Sequence, residues 1–134
     1  MPKRILAIDD DPHVLPILEE MLAVKGYEVA TAGSGAAGLN ALAEGEFDLV
    51  ILDVKMPGMD GYETYEEIRH HSRKGEIPVL FLTAFTDAFS ADNDRAMKAW
   101  LEHFGEGTTD VAYKPVSVEE LTAKVEGLIG PAEQ

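Results

Sequence analysis

Four places in the chain set residues capable of metal and phosphoryl chemistry directly after apolar runs. Asp9-Asp10-Asp11 follow Ile5-Leu6-Ala7-Ile8, and Asp53 follows Asp48-Leu49-Val50-Ile51-Leu52. Thr83-Ala84 follow Val79-Leu80-Phe81-Leu82, and Lys114-Pro115 follow the weaker run Val111-Ala112-Tyr113. Clustered carboxylates repel one another, so they favour a hard divalent cation, and Mg2+ prefers oxygen ligands. Such a cation can bridge to a phosphoryl group and neutralise charge during its transfer. A carboxylate such as Asp53 is a competent nucleophile for phosphorus, giving an aspartyl phosphate. Lys114 can hold one phosphoryl oxygen as a point charge, and Thr83 can donate a hydrogen bond to another.

Each piece alone has a plainer reading. An Asp at a strand end is commonly a turn or cap residue, and Asp9-Asp10-Asp11 could simply cap the next helix. Lys-Pro ahead of a helix often only punctuates a loop. The weight lies in the conjunction, because ligands of an open parallel sheet bind at the carboxyl ends of its strands.

The elements that must bring these residues together follow from periodicity. The first and third apolar runs show almost no alternation, as expected of parallel strands buried on both faces. A more polar strand, Tyr27-Glu28-Val29-Ala30, lies between the first two runs. Val14, Leu15, Leu18, Met21 and Leu22 recur at helical spacing. That helix starts near His13, so that Pro16 stays in the first turn, and it stops at Gly26. Further helices are expected over 36–43 after Ser34, over 62–73 after Asp60-Gly61, and over 118–129, where Ser117 and Glu120 form a capping box. Strand and helix alternate five times, which predicts an α/β fold with a parallel sheet and helices on both faces. No repeat or linker divides the chain, so 1–134 reads as one domain with its core at about 3–130.

The chain of 134 residues carries 11 basic and 25 acidic side chains, a formal charge of −14. This balance disfavours direct contact with nucleic acid or anionic lipid, which need a basic surface. It suits Mg2+ or a partner with a basic patch. There is no cysteine, hence no disulfide or thiolate metal site. No apolar run reaches membrane-spanning length, and a cytoplasmic location is expected.

The stretches Ile5-Leu6-Ala7-Ile8-Asp9-Asp10-Asp11-Pro12, Asp53-Val54-Lys55-Met56-Pro57-Gly58-Met59-Asp60-Gly61, Thr83-Ala84 and Lys114-Pro115 resemble the receiver domain of bacterial response regulators, over essentially the whole chain. The resemblance implies a flavodoxin-like (βα)5 doubly wound parallel sheet with strand order 2-1-3-4-5. It implies that Asp53 is the phosphoacceptor, and that Asp9, Asp10, Asp53 and the backbone carbonyl of Lys55 hold Mg2+. Thr83 and Lys114 would bind the phosphoryl group. The donor would be a phosphohistidine on a sensor histidine kinase or phosphotransfer protein, and an unknown downstream protein would read the result. The chain would not be an enzyme in the usual sense, although it would catalyse its own phosphorylation and slow dephosphorylation. Asp11 matches a more variable acidic position and is left out of the metal site.

Three departures from that family's pattern matter. Thr83 and Lys114 are 114 − 83 = 31 positions apart, more than the family norm, with the excess in 85–109. Met97, Trp100, Leu101 and Phe104 there fit one helical face, so an extended or displaced helix is expected. Val111 stands three residues before the lysine, where members usually carry an aromatic that rotates as the threonine moves, and its branched side chain has little to rotate. Tyr113, next to the lysine, should point the other way. Lys55 and Phe85, each two residues beyond a site residue, would flank the path of a hydrolytic water, which predicts slow dephosphorylation.

The histidines at 13, 70, 71 and 103 show no metal-ligand spacing, and His70-His71 are expected at the solvated end of the third helix. Rival readings fit less well. A haloacid-dehalogenase-type phosphatase needs an Asp where Lys55 stands. A flavin carrier needs a hydroxyl- and glycine-rich loop in place of Asp9-Asp10-Asp11. A phosphorelay intermediate, a phosphate sink or a non-phosphorylated interaction module remain alternatives, as do a monomer or weak homodimer and a complete or excised chain.

Overall fold

The computed structural model describes residues 2–71, 74–84 and 109–133. Five parallel strands, β1 (Arg4–Ile8), β2 (Glu28–Ala32), β3 (Leu49–Leu52), β4 (Val79–Ala84) and β5 (Thr109–Lys114), form one sheet in the order β2-β1-β3-β4-β5. The helices described are α1 (Val14–Val24), α2 (Gly35–Glu44), α3 (Gly61–Arg69) and α4 (Val118–Ile129). The expected fold and strand order are both found.

Uninterrupted apolar runs make the central strands because both faces of the sheet are covered. Leu6, Ile8, Val50, Leu52, Val79 and Phe81 pack with Leu42 of α2 and Tyr62, Tyr65 and Ile68 of α3. Ile5, Ala7, Leu49, Ile51, Leu80, Leu82 and Ala112 pack on the other face with Leu18 and Leu22 of α1 and Leu121 and Val125 of α4. Each such side chain contributes roughly 1.5–3 kcal/mol on burial, so the two layers rather than any polar contact carry the fold.

Local signals set the helix ends. Ser34 Oγ accepts from Ala37 N–H at 3.1 Å and Ser117 Oγ from Glu120 N–H at 3.0 Å. Asp60 and Glu63 form a reciprocal capping box ahead of α3, a device the sequence reading assigned only to Ser117. Pro16 lies in the first turn of α1, and Gly26 takes φ +96° just beyond that helix's end. The third helix ends at Arg69, not 73. Arg69 Nη1 instead reaches the Gly75 and Ile77 carbonyls at 3.0 and 2.7 Å, while Nε and Nη2 meet the Tyr65 and Thr109 hydroxyls. Two strands run longer than their apolar cores: Thr83 and Ala84 still belong to β4, and Lys114 to β5. The predicted helical face at Met97, Trp100, Leu101 and Phe104 lies outside the described residues.

The loop from Asp53 to α3 doubles back tightly on the end of β3. Gly61 N–H donates to Val54 O at 2.7 Å, and a Cβ at Gly61 would stand 2.1 Å from the Asp53 carbonyl oxygen and 2.7 Å from Val54 Cα. Both neighbours are backbone and cannot yield cheaply. Gly61→Ala should therefore lower stability by about 2–4 kcal/mol in urea unfolding, within the range of severe overpacking. A loss under about 0.5 kcal/mol, the usual scatter of surface changes, would show that the loop moves aside freely.

Candidate functional site at the carboxyl rim of the sheet

The strand order makes β1 and β3 neighbours, so the residues that follow them stand side by side. Asp9 N–H donates to Ala32 O at 3.1 Å and Asp53 N–H to Ile8 O at 3.0 Å, which continues the ladder one step past each strand. Both carboxylates are thereby held by backbone and sunk into the rim, Asp9 at 2% and Asp53 at 6% exposure. Asp9 Oδ1 accepts from Asp11 N–H at 2.9 Å, a turn that fixes its rotamer. Asp53 Oδ1 accepts from Val54 N–H at 2.9 Å. Asp10 is exposed, yet Asp9, Asp10 and Asp53 each bring a carboxylate oxygen within 4.8 Å of the others.

Lys114 arrives from β5 across the end of β4. Its Nζ donates to Asp9 Oδ2 at 2.7 Å and lies 3.4 Å from Asp53 Oδ2. The peptide bond that follows it, Lys114–Pro115, is cis. Thr83, on β4 between the two, is fully buried, and its hydroxyl has no hydrogen-bond partner of ordinary geometry. Its proximity nevertheless helps hold the Asp53 charge. Lys55 follows in the loop beyond Asp53-Val54 with its side chain exposed. Phe85 lies outside the described residues.

Electrostatics act on both buried Asp53 and its half-buried partner Lys114. Burial, and then the Asp9 charge, push the Asp53 carboxyl up to about 6, against the opposing pull of Lys114, Thr83 and the Val54 amide. Burial works against the Lys114 ammonium, but the hydrogen bond to Asp9 and the charges of Asp53 and Asp9 outweigh it and raise its pKa. One ammonium thus shares two buried carboxylates, with a third at the surface. A divalent cation is the group this donor set lacks charge balance without, and all three oxygens are hard ligands suited to Mg2+.

Of the residues expected at the site, Asp9, Asp10, Asp53, Thr83 and Lys114 converge on this rim. His13, exposed just before α1, and His70, exposed at the end of α3, are not drawn into it; His103 lies outside the described residues. The sequence reading missed the amides of Asp11 and Val54, which act through backbone and leave no residue-type signal. It also gave Lys114 a phosphoryl oxygen as partner, and did not anticipate its bridge between Asp9 and Asp53.

A five-stranded doubly wound sheet with an acidic rim bridged by a lysine defines a class of small α/β proteins built around a carboxylate cluster. Residues 5–126 match the response regulator receiver domain family, and the chain belongs to it. Phosphorylation and Mg2+ binding are typical of this family of two-component signalling proteins. The chain is 36% identical over 126 residues to the transcriptional regulatory protein RprY of Bacteroides fragilis, covering 94% of this chain and 49% of that protein. It spans about half the length of the curated relatives it matches. Among solved structures, Vibrio cholerae chemotaxis protein CheY4 superposes with TM-score 0.80 at 30% identity, covering 96% of this chain and 99% of that one. Response regulator TrrA of Thermotoga maritima, in complex with Mg2+ and BeF, gives TM-score 0.75 at 34% identity, covering 94% and 98%. No described helix is long and apolar enough to cross a membrane.

The raised Asp53 pKa has a consequence for stability. A carboxyl whose folded pKa exceeds its unfolded value favours the neutral form in the fold, so its contribution is fully present below about pH 4 and is lost as pH rises through about 6. From 3.8 to about 6, at ~1.4 kcal/mol per pH unit, the charged group destabilises the metal-free protein by on the order of 3 kcal/mol at neutral pH. With EDTA present, Asp53→Asn should match the wild type near pH 4 and exceed its unfolding free energy increasingly up to pH 7. Added Mg2+ should narrow the gap. A difference that does not change with pH would show that Asp53 carries no such cost.

Proposed function

We propose that the protein receives a phosphoryl group on Asp53 from a phosphohistidine of a sensor histidine kinase or phosphotransfer protein, and signals to a downstream partner. The observation that carries this reading is the buried Asp53 carboxylate, flanked by Asp9, by the Lys114 ammonium and by the buried Thr83 hydroxyl. An Asp53 oxygen forms the new O–P bond, the N–P bond of the donor breaks, and its electron pair returns to the imidazole nitrogen, which takes a proton from solvent. Lys114 transfers its hydrogen bond from the carboxylates to a phosphoryl oxygen, and Thr83 gains an acceptor. Asp9, Asp10, Asp53 and the Lys55 carbonyl would hold Mg2+, which when bound neutralises charge between Asp53 and the incoming group. No separate base is required, because the nucleophile is already an anion above about pH 6.

In this reading residues 1–134 form a single receiver unit, soluble in the cytoplasm. The match to regulators of transcription favours control of transcription as the output. The formal charge of −14 speaks against DNA contact by these residues themselves.

Acetyl phosphate with Mg2+ should label the wild type with one hydroxylamine-labile phosphoryl group per chain. Asp53→Asn should abolish the label, and Thr83→Ala or Lys114→Met should slow its formation about 10²-fold, the usual cost of a donor to a developing anion. Full labelling of Asp53→Asn would place the acceptor elsewhere.

Lifetime is a second readout of the same site. The long Lys55 side chain and Phe85 would keep the attacking water from phosphorus. Lys55→Asn and Phe85→Glu should each shorten the half-life of the phosphorylated form severalfold once acetyl phosphate is removed. Unchanged decay in both variants would eliminate water exclusion by these residues.

A further inference from the structure

We infer that the Asp60–Gly61 bond is a site of spontaneous backbone isomerisation, locked by the hydrogen bond from Gly61 N–H to Val54 O, and that its conversion disables the rim site. The last clause rests on the reading of Asp53 as phosphoacceptor; the chemistry at Asp60 does not.

Glycine follows aspartate at position 61 and nowhere else in the chain, and no glycine follows asparagine. An aspartyl–glycyl pair is labile because a residue without Cβ lets its nitrogen approach the preceding carboxyl. Gly61 N bonds to Asp60 Cγ, the Cγ–OH bond breaks, and the hydroxyl leaves with the amide proton as water. A succinimide results, and water reopens it. Addition at Cγ restores aspartate. Addition at the main-chain carbonyl breaks the original peptide bond, so the chain runs on through the Asp60 side chain and a carboxylate is left on Cα.

The fold requires this pair beside the site. A Cβ at Gly61 would stand 2.1 Å from the Asp53 carbonyl oxygen, and Asp60 caps α3. The same contacts restrain the reaction. Gly61 N–H is tied to Val54 O at 2.7 Å, so the nitrogen keeps the proton it must lose to attack. Asp60 Oδ1 accepts from Glu63 N–H at 2.9 Å, which turns the carboxyl along α3 and away from Gly61 N. Reaction therefore waits for the loop to open. Pro57 and Gly58 are exposed and residues 55–60 belong to no strand or helix, so that opening is local.

Conversion lengthens the backbone by one atom between cap and helix and takes the carboxylate off the cap. Gly61 can then no longer seat against the Asp53 carbonyl with its amide on Val54 O. The loop that leads from Asp53 through Lys55 loses its far anchor.

Wild-type protein held at neutral pH, folded or in guanidinium, is digested and the β-aspartyl form of the Asp60 peptide is counted by isoaspartyl-specific enzymatic methylation. In the unfolded chain it should form at the rate of a free peptide of residues 55–65. Folding should slow it by the same factor that protects the Gly61 amide from hydrogen exchange. Asp60→Asn, which keeps a good cap, should show the same ratio through ammonia release, and Asp60→Ser should give no product. No β-aspartyl product in the unfolded chain overturns the inference. A slowing that departs from the Gly61 protection in either direction overturns the hydrogen bond as the lock. The isomerised chain, separated by chromatography, should take label from acetyl phosphate about tenfold or more slowly, as befits a displaced site. Equal labelling overturns the disabling of the site. An unmodified chain that takes no label overturns the phosphoacceptor reading and the disabling with it, and leaves the chemistry at Asp60 standing.

Discussion

One ammonium between two buried carboxylates is the contact on which the whole site depends. Asp9 and Asp53 are brought together by the adjacency of β1 and β3, and Lys114 reaches them from β5 across the end of β4. An order that parted β1 from β3 would separate the acids. The arrangement is not there for stability, since a buried ion pair seldom outweighs the desolvation of its members. With Asp53 pushed up to about 6, the second acid weakens the metal-free fold near neutral pH. The apolar layers on both faces of the sheet tolerate that cost, which is the usual trade between stability and a reactive site.

Rigidity around the cluster comes from backbone rather than from side chains. The amides of Asp9 and Asp53 continue the sheet ladder, and those of Asp11 and Val54 fix the two carboxylates. Gly61 lets the following loop close against the Asp53 carbonyl, and the Asp60–Glu63 capping box fixes the start of α3 beside it. None of these contacts reaches the far end of the sheet, where Arg69, Tyr65 and Thr109 tie α3 to the beginnings of β4 and β5 by an independent network. The site is a rim feature on a frame secured elsewhere.

Much of this was legible in the sequence, for identifiable reasons. Strands buried on both faces announce themselves as unbroken apolar runs, and helix α4 begins and ends where Ser117 and the Gly130-Pro131 pair indicate. The polar residues after those runs do meet at one rim, because a residue there must interrupt an apolar run. What stayed hidden depends on pairing. Thr83 and Lys114 continue their strands because neighbouring strands supply ladder partners, which periodicity does not see. Arg69 ends α3 early, and its guanidinium reaches the carbonyls of Gly75 and Ile77 in the connection that follows. The shift at Asp53 needs its burial and its distance from Asp9. Alternation does place Tyr113 opposite Lys114 along β5, but only the register sets it beside Thr83.

The same pairing sets how firmly each residue of the rim is held. Asp9 and Asp53 are anchored by their own amides within the two most enclosed strands, so a new group on Asp53 cannot displace them without breaking the ladder. Lys114 and Thr83 are held differently. The lysine hangs on a flexible stem and can exchange one oxygen for another, while the threonine hydroxyl makes no hydrogen bond of ordinary geometry. Both belong to the β4–β5 pair, and among the described strands none lies on the outer side of β5. The acids are thus fixed at the centre of the sheet, while the lysine and the threonine belong to the strand pair nearer the end of the strand order.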